Sequence, residues 1–520
     1  MVRGILVFVL LILSNFLIAQ QRLKIDTTDL TYVSEFERKA FTEYAAQKPD
    51  YFALFLAIDS TVTETQYKGF KNKFDQTVQA LSTEVADKKK NDKKARFLYE
   101  RVHKGFLSKY EELSFFNQIF KDGVYNCVTA TALYSLVFER FSVPYAIQER
   151  PTHVYLVAYP AQERIQIETT TPIGGYRIYD QAFKQQFVKK LTDYKLISST
   201  EYQTQSVDQL FDKHFFNNEV ITITQLAGIQ YYNSALSYLD KGEKQMALEQ
   251  FEKYYFLYPD EKSRYLMFAL TAEIFNSLTY GDNKKAQYLI KLCKFRREGI
   301  TSDIITSEFY RITQLVFMQN GDRDKYEKIY HDLMNVVNSL EIQQQLTYIF
   351  NYEIGRIAYN QERYTEAASY FEKALIAKPN SVDMSNLFIT NLTMMRKNAR
   401  DKAAFVSQVQ QYGEAYPALR KDNNFFELLG SMMLETFGTA YENGNVTEGE
   451  KYRLMFENLM VKNPDASIVD IEYEIGRAYS AACVYYFKKN QRSKARPFVE
   501  KGLTYAPNSY ELRSRKEMLN

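Results

Sequence analysis

The chain has 520 residues, of which 46% are hydrophobic and 25% are charged. This length exceeds what one hydrophobic core supports, so two or three globular domains are expected. The 66 basic residues nearly balance the 63 acidic ones, which leaves a net charge of +3. That balance excludes a strongly basic protein and gives no support for nucleic acid as a partner.

The first 20 residues have the parts of a secretory signal peptide. Arg3 supplies an early positive charge, an apolar stretch follows, and Ala19 is a small residue at the expected cleavage site. The apolar stretch is shorter than the ~20 residues that a membrane span requires, so an uncleaved anchor is the second interpretation. We expect residues 1–20 to be removed and the mature protein to be periplasmic or extracellular, without a membrane span.

The three cysteines, Cys127, Cys293 and Cys483, are widely separated. An odd number at such spacing is not a disulfide framework, so at least one thiol stays unpaired. Cys293 and Cys483 occupy apolar helical positions and are expected to be buried. The four histidines show no metal-ligand spacing, so neither a metal nor a cofactor is expected.

Residues 29–122 are predicted to be helical, because apolar residues recur every three or four positions. Gly123 ends this region, and Asn126 is a predicted N-cap whose side chain can accept a bond from a first-turn amide. Cys127 would then be the first residue of the next helix.

Two strands are predicted at 153–159 and 164–170, joined by a turn at 160–163. A turn centred between Pro160 and Ala161 would place His153 directly opposite Glu168, with Cβ atoms ~5 Å apart. The region 180–216 shows less pattern and is interpreted as a linking region.

Cys127, His153 and Glu168 have the residue types of a nucleophilic triad. Free cysteine titrates near pH ~8.5, and a helix N-terminus favours its thiolate. An imidazole can pair with the thiolate and an acid can orient the imidazole. The Cys127 amide could bind an oxyanion, with Asn126 or Gln118 as alternative side-chain donors. Each residue also has an ordinary structural interpretation, as a core thiol, a structural imidazole or a solvated acid, and the residues alone leave both open.

Long helices with an internal repeat are predicted from about residue 227 onwards. Three segments, 231–260, 351–380 and 479–508, carry small residues and a terminal proline at the same offsets. The repeated alanines are Ala247, Ala367 and Ala495. Small residues let the two helices of a unit cross closely, and proline ends the second helix. The segment 431–464 keeps Phe456 and Pro464 but lacks the alanine.

These units resemble the tetratricopeptide repeat. Residues 98–175 resemble the transglutaminase-like branch of the papain-like cysteine fold, in which a cysteine begins a helix, a histidine begins a strand and the acid follows ~15 residues later, here within IETTTP. The combination resembles an exported bacterial protein. The resemblance implies an α+β transglutaminase-like domain at 21–225 and an all-α superhelix of tetratricopeptide-like repeats at 226–520.

By the same resemblance, Cys127 is the nucleophile, His153 the general base and acid, and Glu168 the orienting acid. The implied protein is a cysteine-dependent hydrolase or acyltransferase that acts on amide bonds through a thioester, with repeats that bind a protein or peptide partner. The alternative hypothesis is a non-catalytic envelope scaffold in which the repeats carry the function.

Overall fold

The computed structural model describes residues 23–171, 173–216, 219–279, 284–295 and 301–519. The predicted signal peptide at 1–20 and Pro172 of the IETTTP motif lie outside these residues. The chain divides into two compact units, Met1–Glu298 and Gly299–Asn520. The first unit therefore includes the first predicted repeat, at 231–260. The predicted boundary between a transglutaminase-like domain and a repeat domain, after residue 225, stays a prediction.

The first unit begins with helices that pack around a phenylalanine-rich core. The helices are Glu35–Ala45, Tyr51–Leu56, Glu64–Ala80, Ser82–Ala86, Asn91–Phe106 and Phe116–Lys121. The ring of Phe52 lies 5.2–5.5 Å from the rings of Phe74, Phe116 and Phe120, and all four side chains are buried. The helical prediction for this region is confirmed, apart from a two-residue strand.

Two sheets follow around the helix Cys127–Arg140, which we call the cysteine helix. Strands β1 (Lys109–Tyr110) and β2 (Val124–Tyr125) form a short parallel pair. The second sheet contains β3 Tyr145–Arg150, β4 His153–Ala158, β5 Ile165–Ile167, β6 Tyr176–Arg177 and β7 Glu219–Ile221. Its order is β6-β5-β4-β3-β7, and every neighbouring pair is antiparallel. The cysteine helix packs against β4.

The register of the β4–β5 hairpin differs from the predicted register. Leu156 pairs with Ile167, and Ala158 pairs with Ile165, which shifts the pairing by two residues. The cause is the turn, in which Tyr159 and Arg164 both have left-handed backbone (φ of 50° and 51°) and the Arg164 amide donates to the Tyr159 carbonyl. The prediction that His153 lies directly opposite Glu168 is therefore wrong.

A shift of two residues nevertheless preserves the sheet face of each side chain, because side chains alternate with a period of two. His153 and Glu168 become diagonal neighbours on one face rather than a directly opposed pair, and diagonal neighbours remain within reach of long side chains.

Residues 180–216 are helical, so their interpretation as a linking region is wrong. The helices are Gln181–Asp193, Ser199–Thr204 and Val207–Phe215. Each has a side-chain N-cap, supplied by Asp180, Ser198 and Ser206. The buried apolar residues of this region are Val188, Ile197, Leu210 and Phe211. Helices this short show few turns of periodicity, so capping residues are the better signal here.

The first unit ends with longer helices. They are Ile223–Asp240, Lys244–Leu257, Glu261–Ser277 and Lys285–Phe295. Ile223–Asp240 packs against both the cysteine helix and Lys244–Leu257. The fully buried ammonium of Lys253 lies 2.9 Å from the carboxylate of Glu37, which connects the helix Lys244–Leu257 to the start of the unit.

The described part of the second unit is helical. Its α-helices are Ser302–Ile312, Arg323–Val336, Leu340–Asn360, Tyr364–Ala377, Val382–Asn398, Lys402–Ala415, Pro417–Arg420, Asn423–Glu442, Val446–Lys462, Glu472–Lys488, Arg492–Tyr505 and Tyr510–Leu519. A π-helical segment, Thr313–Gln319, and a 3-10 turn, Val469–Ile471, lie between them. The packing of helices against their sequence neighbours agrees with the predicted repeat architecture.

The helix pairs share one turn geometry. In each predicted unit, the residue two positions before the second helix begins has a left-handed backbone, namely Gly242, Glu362 and Asn490. The alanine five residues later, Ala247, Ala367 or Ala495, is fully buried.

The segment 431–464, which lacks the alanine, has a glycine in its place. Gly449 lies five residues after the left-handed Gly444, and a Cβ at Gly449 would lie 2.5 Å from the ring of Tyr441. The close helix contact is therefore kept with an even smaller residue.

None of the described helices is both long enough and apolar enough to cross a membrane.

Candidate active site

Cys127 is the first residue of the cysteine helix and is partly exposed. Asn126 is its N-cap, as predicted: the Asn126 Oδ1 atom accepts from the Thr129 amide at 2.9 Å, and the Asn126 amide donates to Thr129 Oγ1 at 2.9 Å. This reciprocal pair is a capping box, which fixes the direction in which the chain enters the helix. The Cys127 side chain therefore lies at a well-defined helix N-terminus.

Both the donor and the acceptor group of the Asn126 side chain have hydrogen-bond partners within the protein. Its Nδ2 group donates to the carbonyl oxygens of Glu112 (3.0 Å) and Ser114 (3.1 Å), while its Oδ1 accepts from the helix. An amide with both hydrogens engaged has no donor left for an oxyanion. Of the two alternatives from the sequence, this leaves Gln118, whose Oε1 accepts from the Phe115 amide at 2.7 Å.

His153, the first residue of β4, contacts Glu168, which lies directly after β5. The His153 Nε2 and Glu168 Oε1 atoms are 2.7 Å apart, and the side chains are only 27% and 18% exposed. Thr170 Oγ1 donates to the same carboxylate oxygen at 3.2 Å, and the Glu168 amide donates to the Gly175 carbonyl. The carboxylate is thus held in place, and the predicted contact exists despite the shifted register.

The side chain of His153 is also close enough to Cys127 for the thiol to act on its pKa, so the helix start and the hairpin face one another. Because Nε2 is directed at Glu168, Nδ1 is the ring nitrogen that remains for Cys127. The bonds to Cys127 and then to Glu168 raise the pKa of His153 to about 9, against the opposing effect of burial. The surroundings of His153 therefore favour the imidazolium form.

A buried threonine connects the cysteine helix to both halves of the hairpin. Thr131, one helical turn after Cys127, donates from Oγ1 to the Val154 carbonyl at 3.4 Å and lies 3.0 Å from Thr169 Oγ1. Both threonines are fully buried. Val154 follows His153, and Thr169 follows Glu168. The hydroxyls of Thr131 and Thr169 therefore set the distance of the cysteine helix from the strand of His153 and from the segment of Glu168. The sequence does not reveal this contact, although the i, i+4 spacing from Cys127 places Thr131 on the same helix face.

Tyr110 is an exposed neighbour of Cys127 that the sequence did not single out. Burial and then the charge of Cys127 raise the pKa of Tyr110, whose side chain is nevertheless 49% exposed. Its ring contacts Tyr125 edge to face at 5.9 Å.

The other cysteines have different surroundings. Cys293 and Cys483 are buried, as predicted, with exposed fractions of 5% and 2%. Burial raises the pKa of the Cys483 thiol. Within the described ranges, no group of three histidine, cysteine or acidic side chains is arranged to hold a metal ion.

The second unit contains its own candidate binding site, a groove of about 710 Å³. It lies among the helices Ser302–Ile312, Leu340–Asn360 and Tyr364–Ala377. Its lining includes Tyr310, Arg311, Glu341, Gln345, Tyr348 and Lys378. The volume is within the range of ligand pockets, ~300–1,000 Å³, and the lining combines aromatic rings with charges of both signs.

Comparison with known families identifies one part of the chain. The family model of the tetratricopeptide repeat matches residues 349–381, which confirms the repeat predicted at 351–380. A comparison with curated proteins found no match. Tetratricopeptide repeats generally mediate protein interactions, and this repeat contributes residues to the 710 Å³ groove. The second unit thus contains a tetratricopeptide repeat, which indicates a role in protein–protein interaction.

Proposed function

We propose that the protein is an exported, transglutaminase-like cysteine hydrolase or acyltransferase that acts on amide bonds. The observation that carries the proposal is the hydrogen-bonded pair His153–Glu168 next to Cys127, which lies at the N-terminus of a helix. Perturbed titration behaviour combined with this geometry is typical of a functional site.

In the first step of the proposed reaction, the Cys127 thiolate attacks the carbonyl carbon of the substrate amide. The C=O electron pair moves to the oxygen, which the Cys127 backbone amide stabilises, because first-turn amides have no acceptor within the helix. The imidazolium of His153 gives its proton to the leaving nitrogen. The C–N bond breaks, the amine departs, and a thioester to Cys127 remains.

In the second step, water or an amine attacks the thioester carbon and loses a proton to His153. The C–S bond breaks and restores the thiolate, which releases an acid after hydrolysis or a new amide after acyl transfer. Glu168 keeps the imidazole in orientation throughout and stabilises its charged form. Thr131 and Thr169 are positioning residues in this scheme.

The same proposal assigns the repeats to recruitment of a protein or peptide partner, in the periplasm or outside the cell. The tetratricopeptide match at 349–381 and the 710 Å³ groove support recruitment. Export rests on the signal-peptide pattern of residues 1–20.

The repeat match also favours a second candidate function, that of an envelope scaffold whose cysteine domain is not catalytic. The two candidates differ in what Cys127 contributes. A scaffold keeps partner binding and cellular function in the Cys127→Ala variant. It loses both when the helix contact at Gly355 is disrupted, where an added Cβ would lie 2.6 Å from the ring of Phe371. An enzyme loses turnover in Cys127→Ala while partner binding remains.

The experiment that tests catalysis measures the rate of Cys127 alkylation by iodoacetamide as a function of pH. We expect Cys127 to react faster at pH 7 than a model thiol, because the helix N-terminus and the neighbouring His153 imidazolium both stabilise negative charge on the attacking sulfur. His153→Ala should slow this reaction at pH 7, whereas His331→Ala, a variant in the second unit, should not. The catalytic proposal is wrong if Cys127 reacts like a model thiol and His153→Ala leaves its rate unchanged.

A further inference from the structure

Tyr99, a residue of the helix Asn91–Phe106, lies between the cysteine helix and the segment that carries Glu168. Its backbone carbonyl accepts from the hydroxyl of Tyr134, on the cysteine helix, at 2.9 Å. Its own hydroxyl donates to the carbonyl of Thr171, three residues after Glu168. Tyr99 is only 3% exposed, and its ring stacks on that of Tyr134 with the centroids 6.1 Å apart. One buried residue therefore connects the cysteine helix with the segment of Glu168.

The segment of Glu168, residues 168–171, lies tightly against Gly175, and we call it the acid segment. The Glu168 amide donates to the Gly175 carbonyl at 2.7 Å, and the Thr171 amide donates to the Glu168 carbonyl at 3.4 Å. A Cβ at Gly175 would lie 2.5 Å from both the Tyr99 hydroxyl and the Glu168 carbonyl oxygen. Position 175 must therefore be glycine for Tyr99 to reach the acid segment.

The carboxylate of Glu168 requires an accurate position. Its Oε1 atom is 2.7 Å from His153 Nε2 and accepts from Thr170 Oγ1 at 3.2 Å. Hydrogen bonds to nitrogen have lengths of about 2.7–3.2 Å, so a displacement of about 1 Å would break the contact with His153. Thr170 belongs to the acid segment and moves with it, so contacts from outside the segment are needed. The hydroxyl of Tyr99 supplies one of them.

We infer that Tyr99 is a positioning residue of the candidate active site, whose hydroxyl holds the acid segment so that the Glu168 carboxylate reaches His153. Gly175 is the second part of this arrangement, because it leaves room for the hydroxyl. Burial raises the pKa of Tyr99, so the hydroxyl keeps its proton and stays a donor. The inference rests on the proposed function, in which Glu168 orients the imidazole and stabilises its charged form.

The test follows the pKa of His153 by NMR in Tyr99→Phe, a change that removes a single oxygen atom from the full chain. The Thr171 carbonyl loses its donor, the acid segment can move, and Glu168 stabilises the imidazolium less well. We expect the His153 pKa to fall from its native value of about 9. Alkylation of Cys127 by iodoacetamide at pH 7 should slow by about tenfold.

Gly175→Ala disturbs the same contact from the other side and is the second variant. The added methyl group displaces the Tyr99 hydroxyl or the acid segment, so the His153 pKa should fall here as well. Tyr176→Phe is the matched control. Its hydroxyl donates to the Asp92 carbonyl of the same helix at 2.9 Å, and its ring contacts that of Tyr99 at 6.4 Å. Loss of this hydroxyl should leave the His153 pKa unchanged.

A second background separates positioning from a general loss of structure. In Glu168→Gln the carboxylate charge is gone, so Tyr99→Phe should lower the His153 pKa by much less than it does in the native background. An equal fall in both backgrounds would mean that Tyr99 acts on His153 by another route, and would overturn the inference.

The outcomes also separate Tyr99 from the chemistry of Cys127. An unchanged His153 pKa in either Tyr99→Phe or Gly175→Ala overturns the positioning role, and fast alkylation of native Cys127 then leaves the proposed function intact. If native Cys127 instead reacts like a model thiol, the proposed function is overturned. A fall of the His153 pKa in Tyr99→Phe would still support the positioning of Glu168 in that case.

Discussion

Cys127 in the first unit and Cys483 in the second both lie on long helices, yet their surroundings are opposite. Cys127 is the first residue of its helix, partly exposed, and a neighbour of His153. Cys483 lies inside the helix Glu472–Lys488, is 2% exposed, and packs among Ala495, Val499 and Leu519. The position along a helix and one distant partner thus determine what a thiol can do, whereas the apolar character of the helix does not.

The two regions also differ in what holds them together. The Cys127 site depends on hydrogen bonds between residues far apart in sequence, such as Thr131 to Thr169. The repeat around Gly355 depends on close packing between two consecutive helices, in which a Cβ on Gly355 would lie 2.6 Å from the ring of Phe371. Variants that remove such hydrogen bonds should change the reactivity of Cys127. Variants that disturb the packing around Gly355 should change the stability of the repeat.

The largest expected difference is between the two thiols themselves. In the native protein at pH 7, Cys127 should be alkylated by iodoacetamide at least about 100-fold faster than Cys483, because a buried thiol is neither ionised nor accessible. Peptide mass spectrometry after timed quenching measures both rates in one sample. In guanidinium chloride the two rates should converge, and similar rates in the native protein would contradict the comparison.

Packing at the repeat should respond to a single methyl group. Gly355→Ala should destabilise the helices Leu340–Asn360 and Tyr364–Ala377 by ~1–3 kcal/mol, because the buried Phe371 ring must move. Hydrogen exchange of these helices measures the loss. Gly69→Ala is the matched control, since no atom lies within 4 Å of the added Cβ, and it should stabilise its helix by ~0.5–1 kcal/mol. Neither variant should change the Cys127 alkylation rate.

The hydroxyl of Thr131 should matter for the rate more than for the fold. Thr131→Val keeps the shape but loses the bonds to Val154 and Thr169, so the cysteine helix is less well positioned, and we expect alkylation of Cys127 to slow by about tenfold. The pH profile of the rate should also shift. Ser135→Ala removes another buried hydroxyl of the same helix, one that donates only to the Thr131 carbonyl at 2.8 Å, and should leave the profile unchanged.

The smallest effect concerns the turn of the repeat. Glu362 has a left-handed backbone (φ of 59°), which costs a non-glycine residue ~1 kcal/mol, so Glu362→Gly should stabilise the second unit by up to that amount. Asn490→Gly should gain less, because asparagine tolerates this conformation better. Thermal unfolding measures both, and a destabilised Glu362→Gly would argue against backbone strain at this turn.

Local rules were sufficient for the elements of the site. The Asn126 cap, the helix start at Cys127 and the strand at His153 follow from capping chemistry and residue type, and the structure has all three. Alternation along the strands also placed His153 and Glu168 on one face, which survived a wrong register because the error was an even number of residues.

The remaining features depend on contacts that no local pattern encodes. The hairpin register is set by Tyr159 and Arg164, two non-glycine residues in a left-handed conformation that favours glycine. The Thr131–Thr169 bond joins residues 38 positions apart. Gly449 was missed because the pattern required alanine, although the contact requires only a small side chain.

The central claim is that Cys127 and His153 act as one bonded pair, and the titration of His153 tests it most directly. With only four histidines in the chain, selective isotope labelling and NMR can follow each ring as the pH rises. We predict a His153 pKa of about 9 in the native protein, because the bonds to Cys127 and Glu168 favour the imidazolium. In Cys127→Ala the pKa should fall towards the ordinary value of about 6.5, since the largest cause of the shift is removed. A native value near 6.5, or a value that stays near 9 without the thiol, would contradict the account.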